Sequence, residues 1–431
     1  MTTAREQQGK PGTKTRKRFF GNMLQFLRTC SVDTGRVRWD GDTEAFHRLL
    51  ELEEEFLHRW TPRYAVIVEL VSMAQKACYK VFATDKDKKD GKFALTDLLD
   101  NESLEATTNA TVDYLFGIPY SYEFRAQLRG ITGLDLSENV EISDIVTVSS
   151  VDKVPKSDGL FEALMASGLD RDYSLADLSI GDTTLRIHSR GYSSQRSSDS
   201  AAAFALSVVK EFLALLTACD FLEVSYSRAD RTTTGLLSEL PDGQTINWVS
   251  DIPLQSLKHV DRFRLSKSTL KRPAGLLDQN PGETVQRSEE EILKIFKRHA
   301  SRLGRIIRSD ADDQAMALRT AAQWYFDATA EDNETNSFIF TSLGFEALLG
   351  GKRTDSEGIG VTKLLANRLA YLLGSKRSVR DSMISDFEKF YAIRSAIVHG
   401  REPRLSYNAK KVLEQGKYWL KLALSKEYYT Y

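Results

Sequence analysis

The chain has 431 residues, 41% hydrophobic and 28% charged, a balance that excludes a disordered or fibrous protein and leaves room for about two to four domains with a sizeable core. Three scattered cysteines, Cys30, Cys78 and Cys219, exclude a disulfide scaffold and a zinc ribbon and suit a reducing cytosol. The net charge of −1 conceals a split, because residues 351–431 carry 16 Lys/Arg against 8 Asp/Glu, leaving −9 for residues 1–350. A basic end on an acidic body suggests a phosphate-bearing partner, since Lys and Arg gain by displacing counterions; a solvated helical surface is the plainer explanation.

Residues 1–18 read as a flexible basic arm, charged and polar with no apolar run of the signal-peptide kind. A helical segment follows over 19–84. From Asp42-Thr43-Glu44 to Trp60, the residues Phe46, Leu49, Leu50, Phe56, Leu57 and Trp60 form one stripe, Thr61-Pro62 breaks it, and a more apolar helix runs from Arg63 to Phe82. His47, Glu54 and His58 share the opposite face, among Glu51 to Glu55, and read as solvated surface ahead of a metal constellation. Residues 85–92, DKDKKDGK, are a polar loop.

Over 85–285 the period changes, giving a mixed strand and helix region suited to sensing or regulation. Tyr122 to Gly130, Val140 to Val151, Thr184 to Tyr192 and Phe221 to Ser227 read as strands, and Ser200 to Thr217 as a helix. The longest apolar run, Ala201 to Cys219, is interrupted by Lys210 and Glu211, which argues against a membrane span. HSRGYSSQRSSDS (188–200) reads as a solvent-exposed loop, and a polar stretch from Lys271 to Glu283 closes the region.

From 286 to 431 the pattern is helical to the end. Ser288-Glu289-Glu290-Glu291 is a capping box opening a helix to Arg308. Further helices are expected near 312–329, 335–349, 359–374, 379–399 and 406–427, with short loops and glycines that indicate a bundle. The closing Tyr428-Tyr429-Thr430-Tyr431 reads as a frayed terminus. The fold class is therefore α+β: N-terminal helices, a mixed central region and a C-terminal all-α bundle.

The chemistry concentrates in VRDSMISDFEKFYAIRSAIVHG, Val379 to Gly400. Met383, Phe387, Phe390, Tyr391, Ile397 and Val398 fall within about 80° of Met383, and Arg394 lies about 20° from it, inside the apolar stripe. A guanidinium there cannot shed its charge, so it needs an anion, a water-filled cleft or a phosphate. Glu346, in a helix apolar almost all round, is the candidate ion-pair partner, and Arg368, also in an apolar stripe, competes for it. His399 ends the helix before Gly400, with an imidazole able to serve as acid and base near neutrality. Five positions separate Arg394 from His399, about 140° on an ideal helix, so either the last turn is distorted or two copies of the helix complete one site.

RSAIVHG, Arg394 to Gly400, is an R-x4-H motif on the penultimate helix of an α-bundle, preceded by SLGFEALLG (342–350), LLANRLAYLLG (364–374) and FEKFYAIRS (387–395). Over about 120 residues the chain resembles the HEPN superfamily, and within it the Apea-like HEPN domains of bacterial defence proteins. The resemblance implies a cytoplasmic, metal-independent and cofactor-free endoribonuclease of an antiphage, abortive-infection type, acting on RNA as a homodimer, with a phage-derived trigger and no membrane. It assigns proton exchange to His399 and the scissile phosphate to Arg394, with Ser395, Tyr391 and Glu346 in support. Ser395 departs from the Asn, Asp or His that follows the arginine in many active members. The alternative is a non-catalytic bundle that dimerises or binds nucleic acid; an enzyme sited in the central region has no motif behind it.

Overall fold

The computed structural model describes residues 12–85, 89, 91–128, 139–150, 183–193, 200–224, 236–237, 263–265, 288–308, 312–351, 360–401 and 404–431. Its contacts divide the chain into two units. One comprises 1–122, 189–203 and 240–248, and the other 123–188, 204–239 and 249–431.

In the first unit, α1 (Thr13–Thr29), α2 (Glu44–Phe56), α3 (Ala65–Thr84) and α5 (Asn101–Gly117) pack around one core, with the short α4 (Leu95–Leu98) beside them. Phe19, Met23, Phe26 and Leu27 of α1 meet Leu49 and Leu52 of α2, Val66, Ile67 and Leu70 of α3, and Leu104, Val112 and Leu115 of α5. Residues 13–18 of the expected arm are the first turns of α1, where Arg16 pairs with Asp113; residues 1–11 lie outside the described set. The second helix stops at Phe56 rather than Trp60, because the cap Leu57 leaves helical geometry. Three short strands, β1 (Ser31–Asp33), β2 (Arg36–Arg38) and β3 (Lys92–Ala94), form an antiparallel sheet in the order β2-β1-β3.

The central strands are β4 (Tyr120–Leu128), β5 (Val140–Glu141), β6 (Val146–Ser150), β7 (Thr183–Gly191), β8 (Leu222–Val224), β9 (Leu236–Leu237) and β10 (Phe263–Leu265). They make a five-stranded sheet, β5-β6-β7-β4-β9, and a two-stranded one, β10-β8. Val146, Val148, Leu185 and Ile187 are buried, as alternation on one sheet face requires. His188 to Gly191 complete β7, which corrects the first residues of the expected 188–200 loop; residues 194–199 and Lys271 to Glu283 lie outside the described set. Across the sheet, Glu123, 1% exposed, receives Nε and Nη2 of Arg186 at 3.1 and 2.9 Å.

α6 (Ser200–Ala218) is long and apolar enough to cross a membrane by length and composition, and 72% of its most apolar window is buried inside the protein. Its two charges are spent on the neighbouring α8 (Asp313–Ala330): Lys210 reaches Asp327 at 2.7 Å and Glu211 reaches Arg319 at 3.6 Å.

Among the described residues, six helices follow: α7 (Glu289–Arg308), α8, α9 (Glu334–Leu349), α10 (Val361–Leu373), α11 (Arg377–Val398) and α12 (Tyr407–Thr430). The capping box forms as written, Ser288 N donating to Glu291 Oε2 at 3.1 Å and Glu291 N to Ser288 Oγ at 3.3 Å. Phe338 of α9 stacks on Phe390 of α11 with centroids 4.4 Å apart, and Phe345 meets Phe387 edge-on at 4.9 Å. Gly416 of α12 has no side chain because a Cβ there would fall on the Phe390 ring. The terminal tyrosines are not frayed. Tyr428 is fully buried and stacks on His299 of α7, whose Nδ1 lies 3.2 Å from its hydroxyl, and Arg302 lies over the Tyr428 and Tyr429 rings.

Candidate functional site

The site begins with Glu346, one turn from the C-terminus of α9. Its helix is apolar on nearly every side, so the carboxylate needs donors from neighbouring helices. α11 supplies two from positions three apart, which share a helix face. Tyr391 Oη donates to Glu346 Oε1 at 3.1 Å, and Arg394 Nη2 donates to the same oxygen at 3.2 Å. Burial, and after it the Glu346 carboxylate, push the Tyr391 phenol well above its usual range, so it keeps its proton and remains a donor.

The pair is not sealed. Arg394 and Glu346 side chains retain 29% and 34% exposure, so both side chains keep some contact with solvent. Arg394 Nε, by contrast, is buried with no hydrogen-bond partner among the described residues. Among the described residues, one carboxylate oxygen therefore holds the arginine while Nε is left unused.

Competition for Glu346 is resolved by giving Arg368 a different partner. Arg368 Nη1 donates to the carbonyls of Leu349 and Gly350, the latter at 2.9 Å, closing the end of α9. Its role is a helix cap.

His399 is the C-cap of α11, and its ring is exposed. Gly400 takes φ +69°, and its N–H donates to Ile397 O at 3.0 Å while Arg401 N–H donates to Ala396 O at 2.8 Å. This paired closure needs a left-handed residue, which is why glycine follows the histidine. His399 N–H still donates to Ser395 O at 3.0 Å, so the last turn keeps helical pairing and is not wound to bring His399 over Arg394. Ser395 is exposed. The stripe expected to run through Ile397 and Val398 is buried only as far as Tyr391; Ile397 is half-buried and Val398 is 54% exposed.

The structure thus joins Tyr391, Arg394 and Glu346 in one hydrogen-bonded group and leaves Ser395 and His399 outside it, at the solvent end of the same helix. Such a group can orient a guanidinium toward an anion, with an exposed histidine farther along the same helix.

Elsewhere, a cleft of about 870 Å³ is lined by His47, Glu51, Glu54 and His58 among others. Among the described residues no three His, Cys, Asp or Glu side chains are placed to hold a metal. One carboxylate at this cleft escaped the sequence reading. Glu53, 3% exposed, accepts from Tyr64 N at 3.1 Å and Ala65 N at 2.8 Å, capping α3. Its position four residues after Leu49, inside the apolar stripe, was the available signal.

No protein-family model, curated protein or solved structure matches the chain.

Proposed function

We propose that the protein is a metal-independent endoribonuclease of the HEPN type, active in the cytoplasm as an antiphage, abortive-infection effector. The observation that carries the reading is Arg394, set in an apolar stripe, oriented by Glu346 and Tyr391, and still partly open to solvent. RNA carries its own nucleophile. The 2′-oxygen attacks the adjacent phosphorus, the bond to the 5′-oxygen breaks, and a 2′,3′-cyclic phosphate and a 5′-hydroxyl result. A protein needs only to stabilise charge on the phosphate and move protons. Arg394 takes the first role; His399 exchanges a proton with the 2′-hydroxyl or the leaving 5′-oxygen. Because the helix keeps its regular pairing to His399, the two groups act together most simply when α11 helices of two copies face one another, each completing the other's site. The central region, under this reading, restrains the bundle until a phage-derived signal arrives.

A non-catalytic bundle that dimerises or binds nucleic acid is the second reading, favoured by the Arg394–Glu346 ion pair and by Ser395 after the arginine. Incubation with total RNA in EDTA separates the two. The ribonuclease yields fragments ending in 2′,3′-cyclic phosphate, and Arg394→Ala or His399→Ala lowers the rate by about a hundredfold or more. Cleavage by both variants at the rate of the unaltered protein would remove the assignment.

A further inference from the structure

Between Gly360 and Tyr431, nine of the fourteen described Lys and Arg side chains are already committed within the chain, to carboxylates or backbone carbonyls. The five without such a partner among the described residues are Lys363, Lys376, Arg401, Arg404 and Lys411. Three of these five follow His399 closely, in the turn between α11 and α12 and the first turns of α12. The same segment presents Tyr407 at 72% exposure, with Lys411 Nζ 4.6 Å from the ring centroid.

The described backbone on either side of residues 402–403 is anchored. Arg401 N–H is tied to Ala396 O, Leu405 is buried, and Ser406 caps α12 by accepting from Ala409 N at 3.2 Å. α11 and α12 run antiparallel: Phe390 packs at Gly416, and Lys426 reaches Leu372 O just before α11 begins. His399 and Tyr407 each lie nine residues beyond the Phe390–Gly416 contact, or about 13 Å along their helices, and so stand at one level.

Uncommitted cations beside an exposed aromatic ring suit a nucleic acid whose bases are out of the stack. Phosphates displace counterions at the cations, and an unpaired base stacks on the ring, which a base inside a duplex cannot do. We propose that the α11–α12 turn seats the RNA. Arg401, Arg404 and Lys411 hold phosphates flanking the scissile one, Tyr407 stacks an unpaired base, and the substrate is RNA single-stranded at the cut. The inference rests on the ribonuclease reading for its chemistry, and its binding step is tested separately.

The probe is a fluorescein-labelled 2′-O-methyl RNA, which has no free 2′-hydroxyl to attack, offered to the full chain as a single strand and as a duplex of the same sequence. Single-strand binding is expected to exceed duplex binding by at least tenfold. Tyr407→Ala loses at least fivefold for the single strand, whereas Tyr407→Phe, which retains the stacking face, does not. The triple variant Arg401→Gln, Arg404→Gln, Lys411→Gln lowers the slope of log affinity against log salt by about 2. Lys376→Gln, an uncommitted cation at the far end of α11, serves as the control for nonspecific charge loss. Equal affinity for strand and duplex, or a Tyr407→Ala loss no larger than that of Lys376→Gln, overturns the proposal. Unmodified RNA tested alongside separates the two ideas. Strand-selective, Tyr407-dependent binding without cyclic-phosphate fragments keeps the seating surface and removes the ribonuclease; fragments without that binding pattern do the reverse.

Discussion

Glu53 in the first unit and His299 in the second are both buried, at 3% and 6% exposure, and each is driven toward its neutral form. Burial lifts the Glu53 carboxyl from 4.5 to about 7, outweighing the backbone N–H groups at the start of α3 that favour its charge. Burial, then Arg302 and Arg298, lowers the His299 imidazole from 6.5 to about 4. The same physical cause therefore gives the two units opposite responses to acid. Glu53 binds its proton more tightly when folded, so its contribution is full below 4.5 and is lost as the pH rises toward 7. His299 binds its proton less tightly when folded, so its contribution is full above 6.5 and is lost as the pH falls toward 4.

Each effect amounts to about 3 kcal/mol across its window, the largest difference in stability expected between the units. Hydrogen exchange at pH 7 and pH 5, corrected for intrinsic rates, should show protection rising in α3 and falling in α7. Glu53→Gln should flatten the first response and His299→Phe the second. Protection moving in the same direction in both helices would break the comparison.

The sequence reading was strongest where a signal is local and repeated. The capping box at Ser288, the glycine after His399 and the helices of the bundle all rest on short spacings that tertiary context did not override. It missed β1, β2 and β3, each three residues long, too short for alternation to register. It also missed α5, whose threonines are weak helix formers; Thr108 and Thr111 are buried there, with hydroxyls donating to carbonyls four residues back. At the site, the awkward position of Arg394 pointed to a partner, and periodicity placed Glu346 and Arg368 in comparable surroundings. Only the packed structure shows that Arg368 turns to the carbonyls of Leu349 and Gly350, leaving Glu346 to Arg394. That choice depends on where α9 ends beside α10, which no local pattern encodes.

A pair of glycines sharpens the contrast between the units. Gly21, midway along α1, has nothing within 4 Å of where a Cβ would stand, whereas a Cβ at Gly304 of α7 would fall on the Ile142 carbonyl oxygen. Gly304→Ala must push α7 off the β5–β6 hairpin, at a cost of roughly 2 kcal/mol or more. Gly21→Ala adds helix propensity without a clash and should stabilise by about 0.5–1 kcal/mol. Denaturant melts of the two variants are expected to move in opposite directions. A neutral Gly304→Ala would mean that α7 and the hairpin are not packed backbone to backbone.

A change of about the same size as the Gly21 gain is the most informative about the site. Tyr391→Phe keeps the ring against Phe387, 5.2 Å away between centroids, and removes only the hydroxyl that donates to Glu346 Oε1. The stability loss should be about 1 kcal/mol, the net worth of one partly buried hydrogen bond. Glu346 Oε1 is then left to Arg394 alone, and the guanidinium loses the second anchor that fixes its acceptor. If Glu346 and Tyr391 position Arg394 for a phosphate, the cleavage rate at saturating RNA falls severalfold while KM changes little, because orientation matters more to the developing charge than to ground-state binding. If the three residues serve only to hold α9 against α11, the melt shifts and the rate at saturation does not. Glu346→Gln separates the same alternatives by another route: it keeps an acceptor for Tyr391 and removes the charge opposite Arg394. A rate that follows charge removal but ignores loss of the hydroxyl would assign the positioning to Glu346 alone.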